Sequence, residues 1–369
     1  MSLPTAAAPE EITVSHCLLD VHGSVLHAQG ADRPYYAAST IKLHVLLAAL
    51  REAGEGRLDL SASIPATRSF TGANGAAFTL GGDHLDPTHP AEGAPVEVRE
   101  LLRRMIDRSS NEATDQVIEL VGLDAIAATI AGLGLRATRV ERLIGDAAGL
   151  RTGATNETSA ADLALTMRAL VTSDGLTPPL PASSVALVRE ALHAQRIPVI
   201  GTALREGVRW GSKSGWVDGY RHDVAFIGDP EGRDLRVLAV MTGAEPRRFR
   251  CGHRPSDAPA ASAPPRSRFD APYARHPVPY LDLDLRERPV RGLVAAVGMV
   301  GYWTVGDHYA DISAEVAWGP LPDHPSQRYS RLISFSGWKN MLEPGLGRTW
   351  IVESGAMSLK PWSRRSTSW

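Results

Sequence analysis

The chain has only two cysteines, Cys17 and Cys251, among its 369 residues. Two cysteines are too few for a disulfide framework, so the stability of the fold must come from a hydrophobic core. Hydrophobic residues make up 43% of the sequence, enough for a sizeable core. The formal net charge of −2 gives no electrostatic basis for binding nucleic acid. We therefore expect a globular protein with no nucleic-acid partner.

The sequence also lacks the apolar run of about 18 residues that could cross a bilayer. Residues 1–11 have neither the basic start nor the apolar core of a signal peptide. The polar segment 71–90 contains Asp and His residues that could hold a metal. Because their spacing is irregular and broken by prolines, we interpret the segment as a surface loop. We expect a cytoplasmic monomer without cofactor, metal or membrane partner.

The most informative segment is Ser39-Thr40-Ile41-Lys42. The apolar stretch that begins here has no Gly or Pro for about a dozen residues, which predicts a buried helix. A spacing of three places Ser39 and Lys42 on one face of that helix. Burial would lower the pKa of the lysine, which could then remove the proton of a serine nucleophile. The competing interpretation is a helix-capping serine and a lysine whose amine reaches solvent.

Two further motifs follow in order along the chain. Ser109-Ser110-Asn111 lies between two helical patterns and could offer a hydroxyl and an amide to a cleft, although Ser and Asn also cap helices. Lys213-Ser214-Gly215 precedes an apolar strand and could hold an anionic group, although lysines also protect edge strands. The ordered set S-x-x-K, S-x-N and K-[ST]-G is much more specific than any single motif.

This set resembles the motifs of class A serine β-lactamases and of the wider penicillin-recognising serine hydrolases, which include D,D-peptidases and uncharacterised bacterial members. The resemblance covers about residues 12–244 and includes an opening hairpin from Val14 to Gln29. It implies an α+β fold with an all-helical subdomain and an α/β subdomain around a central antiparallel sheet. The active site would lie between the two subdomains, and the substrate would be a β-lactam or a related amide or ester.

The resemblance implies a catalytic role for Ser39, Lys42, Ser109 and Lys213, and a substrate-binding role for Asn111. Ser39 would be the acylated nucleophile and Lys42 its base. Ser109 would pass the proton to the leaving nitrogen, and Asn111 would orient the substrate and Lys42.

The resemblance also implies the residues that bind the substrate. Lys213, Ser214 and Gly215 would bind its carboxylate and shape the wall of the cleft. The backbone amide of Trp216 would complete an oxyanion hole with the amide of the nucleophile. Arg221 would supply a second charge to the carboxylate, or it would form a surface ion pair instead.

One departure from the class A pattern concerns the glutamate that activates the deacylating water. In this chain its place falls on Ile144, and Asp146 or Glu141 would have to substitute. An enzyme without a general base at the ester can be acylated and yet hydrolyse the ester slowly. The sequence therefore predicts a serine hydrolase of the β-lactamase type, with a non-turnover penicillin sensor, a D,D-peptidase or an esterase as alternatives.

The last third of the chain has a different composition. Residues 247–279 are rich in Pro, Arg, Ala and Ser and are interpreted as a linker that follows a hydrolase domain of residues 1–246. Residues 280–369 remain unassigned. They contain strand-like runs typical of a small β-rich module, and the alternative is a disordered tail.

Overall fold

The computed structural model describes residues 12–82 and 85–244, together with four short strands nearer the C-terminus. The predicted linker 247–279, Cys251, Asp83 and His84 lie outside the described residues.

The described helices run in chain order, with a short 3-10 helix, Ala38–Ile41, directly before α1. They are α1 (Lys42–Gly54), α2 (Val98–Asp107), α3 (Asn111–Val121), α4 (Leu123–Gly132), α5 (Ala147–Arg151), α6 (Ala160–Thr172) and α7 (Ala182–His193), and a second 3-10 helix spans Ile200–Ala203. None of these helices has the length and apolar character needed to cross a bilayer.

The described strands are also numbered in chain order. They are β1 (Ile12–Asp20), β2 (Val25–Gln29), β3 (Tyr35–Tyr36), β4 (Ser63–Pro65), β5 (Ser69–Thr71), β6 (Ala77–Thr79), β7 (Pro95–Glu97), β8 (Arg139–Val140), β9 (Asn156–Thr158), β10 (Trp210–Val217), β11 (Tyr220–Ile227), β12 (Arg236–Ala244), β13 (Ser313–Glu315), β14 (Arg331–Ser336), β15 (Arg348–Glu353) and β16 (Ala356–Pro361).

The main sheet is five-stranded and antiparallel, with the order β10-β11-β12-β1-β2. The N-terminal hairpin joins the C-terminal strands because β1 pairs with β12 along its whole length, from Ile12 opposite Ala244 to Asp20 opposite Arg236. This arrangement leaves β10, which carries the K-S-G motif, at one edge of the sheet. The four strands β13–β16 form a separate antiparallel sheet.

The principal hydrophobic core joins the helices to one face of the main sheet. Helix α6 packs across β1, β11 and β12, and it also contacts α1. Every side chain from Lys42 to Leu50 in α1 is buried. The first half of α1 is therefore a central helix with no solvent-facing side, as its apolar sequence predicts.

The structure confirms the predicted fold class, an α+β arrangement of helices and a central antiparallel sheet. The predicted opening hairpin corresponds to β1 and β2. Ser159 caps α6, since its hydroxyl accepts the Asp162 N–H at 3.2 Å. One local detail differs: the helix expected from Ser39 begins as a 3-10 turn, and α1 itself starts at Lys42.

Candidate active site

Ser39 and Lys42 lie together where the 3-10 turn passes into α1. The Lys42 side chain is fully buried, and its Nζ lies 3.1 Å from the Ser39 Oγ. The same Nζ donates to the Ser109 backbone oxygen at 2.6 Å and to the Asn111 Oδ1 at 2.7 Å. The Ser109 Oγ lies 3.1 Å away. Four oxygens therefore surround one amine.

These four contacts are compatible with an unprotonated Lys42. The two shortest contacts are to a carbonyl and an amide oxygen, which can only accept hydrogen bonds, and they use both N–H bonds of a neutral amine. The amine's lone pair then remains for a hydroxyl proton from one of the two serines at 3.1 Å. Burial and the nearby charge of Lys213 hold the pKa of Lys42 well below its usual range, although Asp115 and Glu112 oppose this shift.

The two serines of the S-S-N motif have different roles: Ser110 caps a helix, and Ser109 contacts the buried lysines. Ser110 is the N-cap of α3, and its hydroxyl accepts the Ala113 N–H at 3.1 Å. Ser109 has a left-handed backbone with φ of +57°, and its hydroxyl lies 3.1 Å from both Lys42 Nζ and Lys213 Nζ. Its hydroxyl is therefore a bridge between the two buried lysines.

Lys213 reaches the site from the edge strand β10. Its side chain is fully buried, and its Nζ also donates to the Ser214 backbone oxygen at 2.6 Å. Burial lowers the pKa of Lys213 to about 7, and the charge of Asp223 on β11 opposes that shift. Asp223 is held in turn by the backbone N–H groups of Ile200 at 2.7 Å and Val199 at 2.9 Å.

Gly215 lets β10 approach the 3-10 turn Ala38–Ile41 at backbone contact. A Cβ at this position would lie 2.9 Å from the Thr40 N, 3.0 Å from the Ala37 O and 3.0 Å from the Ser39 N. Only glycine fits such an approach without displacing the backbone. The turn itself contains a left-handed alanine, Ala38, with φ of +48°. Gly215 is thereby brought next to the Ser39 amide.

Ser214, Trp216 and Arg221 lie on the opposite face of the sheet from Lys213 and Gly215. Trp216 pairs with Arg221 in the β10–β11 register, and residues directly opposite in an antiparallel pair share a face. The Arg221 guanidinium lies 5.6 Å from the centroid of the Trp216 ring, which is 44% exposed. The predicted carboxylate-binding residues therefore lie on both faces of the β10–β11 pair.

Asp146 and Glu141 both accept hydrogen bonds from backbone N–H groups in and around their loop. Asp146 is the N-cap of α5, where its Oδ1 accepts the N–H groups of Ala148 and Gly149 at 3.0 Å and its Oδ2 accepts that of Ala73 at 2.9 Å. The exposed Glu141 accepts the Thr155 N–H at 2.9 Å. Backbone donors therefore hold at least one oxygen of each carboxylate, and the assignment of either group as the deacylation base stays a prediction.

Three buried acids near the lysines were not singled out from the sequence. Asp115 accepts the Ile144 N–H at 2.8 Å through its Oδ1, Glu112 accepts the Asp86 N–H, and Asp223 binds the 3-10 turn. The only sequence signal for Asp115 is its spacing of four from Asn111, which puts both on one face of α3. Among the described residues, no group of His, Cys, Asp and Glu could hold a metal.

Comparisons with solved structures agree with the fold. A β-lactamase from Sphaerobacter thermophilus is 29% identical, with a TM-score of 0.52 over 64% of this chain and 84% of that one. A β-lactamase from Xanthomonas campestris is 23% identical, with a TM-score of 0.53 over 63% and 83%. A PBP-A mutant, solved as an acyl-enzyme complex with penicillin G, is 22% identical, with a TM-score of 0.51 over 64% and 84%.

No curated protein matches the chain. The model of the beta-lactamase enzyme family, in contrast, matches residues 5–261, which include all three motifs and the whole main sheet. The chain therefore belongs to the beta-lactamase enzyme family, as a β-lactamase-like serine hydrolase.

Proposed function

We propose that the protein transfers acyl groups through Ser39, with β-lactams or related amides and esters as acyl donors. The observation that carries the proposal is the coordination of the Lys42 amine. Two acceptor-only oxygens use its N–H bonds, and the Ser39 hydroxyl lies 3.1 Å from its nitrogen. Such an amine is placed to take the serine proton as the oxygen attacks a carbonyl carbon.

The proposed acylation proceeds in three proton transfers. The Ser39 Oγ bonds to the carbonyl carbon while its proton moves to the Lys42 Nζ, and the backbone N–H groups of Ser39 and Trp216 stabilise the oxyanion. The carbon–nitrogen bond then breaks as the leaving nitrogen receives the Ser109 hydroxyl proton, which Lys42 replaces. The ammonium of Lys213, 3.1 Å from the Ser109 oxygen, stabilises negative charge on that oxygen during the transfer.

Deacylation is proposed to be slow. Ile144 occupies the place of the class A glutamate, and the carboxylates of Asp146 and Glu141 are engaged by backbone N–H groups. A positioned general base typically accelerates a step by about a hundred- to ten-thousand-fold, so its absence should let the acyl-enzyme accumulate. This loop also favours a second candidate function, a penicillin sensor that remains acylated, over rapid turnover.

Acyl-enzyme lifetimes test this proposal. After brief reaction with penicillin G and removal of free drug, the wild-type adduct should decay slowly in intact-mass spectra. Ile144→Glu should shorten the lifetime of the adduct. Ile144→Gln should not, because glutamine has the size of glutamate but is a poor proton acceptor. Rapid turnover by the wild type with no detectable adduct would contradict slow deacylation. A wild-type adduct that outlasts repeated buffer exchange without decay would favour the sensor.

A further inference from the structure

Glu112 is fully buried in the first turn of α3, directly after the S-S-N motif. Its Oε2 accepts a hydrogen bond from the Ser110 hydroxyl at 3.0 Å. The oxygen of that hydroxyl accepts the Ala113 N–H at 3.1 Å. The hydroxyl is thus used both as a donor and as an acceptor, which fixes the orientation of the Ser110 side chain.

The same carboxylate is bound by the chain segment that precedes β7. The Asp86 backbone N–H donates to both oxygens of Glu112, at 3.1 and 3.2 Å. The Arg68 Nε lies 3.6 Å from the Oε1. Asp86 is anchored in turn to α2, since its Oδ2 accepts a hydrogen bond from the Arg104 Nη1 at 3.0 Å. Glu112 therefore links the S-S-N motif to the segment around Asp86 and, through that segment, to α2.

The residue next to Ser110 is the one that carries the proton-transfer hydroxyl. Ser109 has a left-handed backbone, with φ of +57°, which a serine rarely adopts unless its surroundings impose it. Its backbone oxygen lies 2.6 Å from the Lys42 Nζ, and its hydroxyl lies 3.1 Å from the Lys213 Nζ. The Ser110 N–H donates to the Arg104 oxygen at 3.1 Å. A fixed Ser110 therefore limits how far Ser109 can move from the two lysines.

We propose that Glu112 is a positioning residue that holds the Ser109 hydroxyl where it can protonate the leaving nitrogen. Glu112 acts through Ser110, whose side chain it binds, and not by touching the substrate. Without the carboxylate, the Ser110 hydroxyl and the Asp86 N–H lose a shared acceptor, and the backbone of the motif is free to relax. This role rests on the proposed acylation of Ser39.

The test compares acylation by penicillin G with acylation by p-nitrophenyl acetate. The lactam nitrogen needs a proton to leave, whereas p-nitrophenolate leaves without one, so the penicillin G reaction depends more strongly on the Ser109 hydroxyl. Glu112→Leu removes the acceptor of Ser110 and Asp86. It should lower the ratio of the two acylation rate constants, penicillin G to ester, by about tenfold or more.

Two further variants examine the same contact. Glu112→Gln keeps an oxygen for the Asp86 N–H and offers an amide N–H to the Ser110 oxygen, so it should restore the ratio to near the wild-type value. Ser110→Ala removes the hydroxyl that Glu112 binds and should lower the ratio as Glu112→Leu does.

Asp162 is the matched control. This buried acid of α6 also accepts one backbone N–H and one hydroxyl, from Ala137 and Thr138, both at 2.8 Å. Asp162→Leu should leave the ratio unchanged even where it lowers the melting temperature. A wild-type ratio in folded Glu112→Leu and Ser110→Ala, or an equal fall of the ratio in Asp162→Leu, would overturn the proposal.

Hydrogen exchange of the backbone amides gives a measurement that does not depend on acylation. The Ser110 and Ala113 amides are both hydrogen-bonded within this arrangement. Glu112→Leu should speed their exchange, whereas Asp162→Leu should not. If the wild type formed no adduct but this difference appeared, the proposed function would fail while the hold of Glu112 on the motif would stand. Unchanged exchange in Glu112→Leu would overturn the positioning role itself.

Discussion

Gly215→Ala is the substitution whose effect can be worked out most directly from the structure. The new Cβ would meet three backbone atoms at the 3-10 turn before α1, the Thr40 N at 2.9 Å and the Ala37 O and Ser39 N at 3.0 Å. Ordinary contacts to a Cβ begin at 3.4 Å, so each pair must separate by about half an ångström. Because the obstacles are backbone atoms in a turn followed by a buried helix, they cannot move aside as a flexible side chain would.

The expected result has two parts. Overpacking of a tight site typically costs about 1–3 kcal/mol, so the free energy of unfolding should fall by that amount. Moving β10 away from the turn would also separate the Ser39 amide from the Trp216 amide. Loss of one oxyanion donor typically slows the chemical step by about a hundred- to a thousand-fold. The acylation rate with penicillin G should therefore fall by a comparable factor in protein that remains folded.

The matched control is Gly81→Ala. Gly81 is exposed, its Cβ would meet nothing within 4 Å, and its φ lies outside the left-handed region. Thermal unfolding and the acylation rate constant should both stay near wild-type values in this variant. If folded Gly215→Ala were acylated as fast as the wild type, β10 would not shape the oxyanion site as described here.

Three further predictions concern charge. Because the pKa of Lys213 is lowered to about 7, its ammonium should be lost as pH rises through 7. The ratio of the acylation rate with a carboxylate-bearing ester to that with a neutral ester should therefore fall as pH rises through 7. In Lys213→Met this ratio should not depend on pH. Asp115 has its pKa raised to about 8. The unfolded chain then binds fewer protons between about pH 4 and 8, so stability falls with rising pH by up to about 1.4 kcal/mol per unit. The free energy of unfolding of Asp115→Asn, measured by denaturant titrations at several pH values, should lack this decrease. The same pH dependence as in the wild type would refute the prediction. Asp146→Ala should lose about 1 kcal/mol of stability with the α5 cap, while the adduct lifetime stays constant; a longer lifetime would make Asp146 a base after all.

Local patterns in the sequence predicted the groups that lie close together along the chain. The spacing of Ser39 and Lys42 predicted their contact, and the apolar residues around them predicted a buried lysine. The cap of α6 at Ser159 likewise follows a local pattern, a serine with an acidic residue three positions later. Each of these features depends on the geometry of one or two helical turns, which the sequence specifies directly.

Features that depend on long-range packing could not be predicted in the same way. Asp115 and Asp223 look like ordinary acids in the sequence, and they become buried only when a distant loop or turn packs against them. Asp146 was considered as a base because it is near Ile144 in the sequence. One of its three backbone donors, Ala73, lies far away in the chain, so this contact could not be predicted from the local sequence. The predicted linker 247–279 remains a prediction.

The most direct test of the central claim is the intact mass of the protein during reaction with penicillin G. The wild type should gain the mass of one penicillin molecule, and peptide mapping should locate the addition on Ser39. Lys42→Met should gain it orders of magnitude more slowly, because the base is absent. Ser39→Ala, folded as judged by its thermal unfolding, should gain nothing. An adduct of equal size and rate on Ser39→Ala would contradict the account.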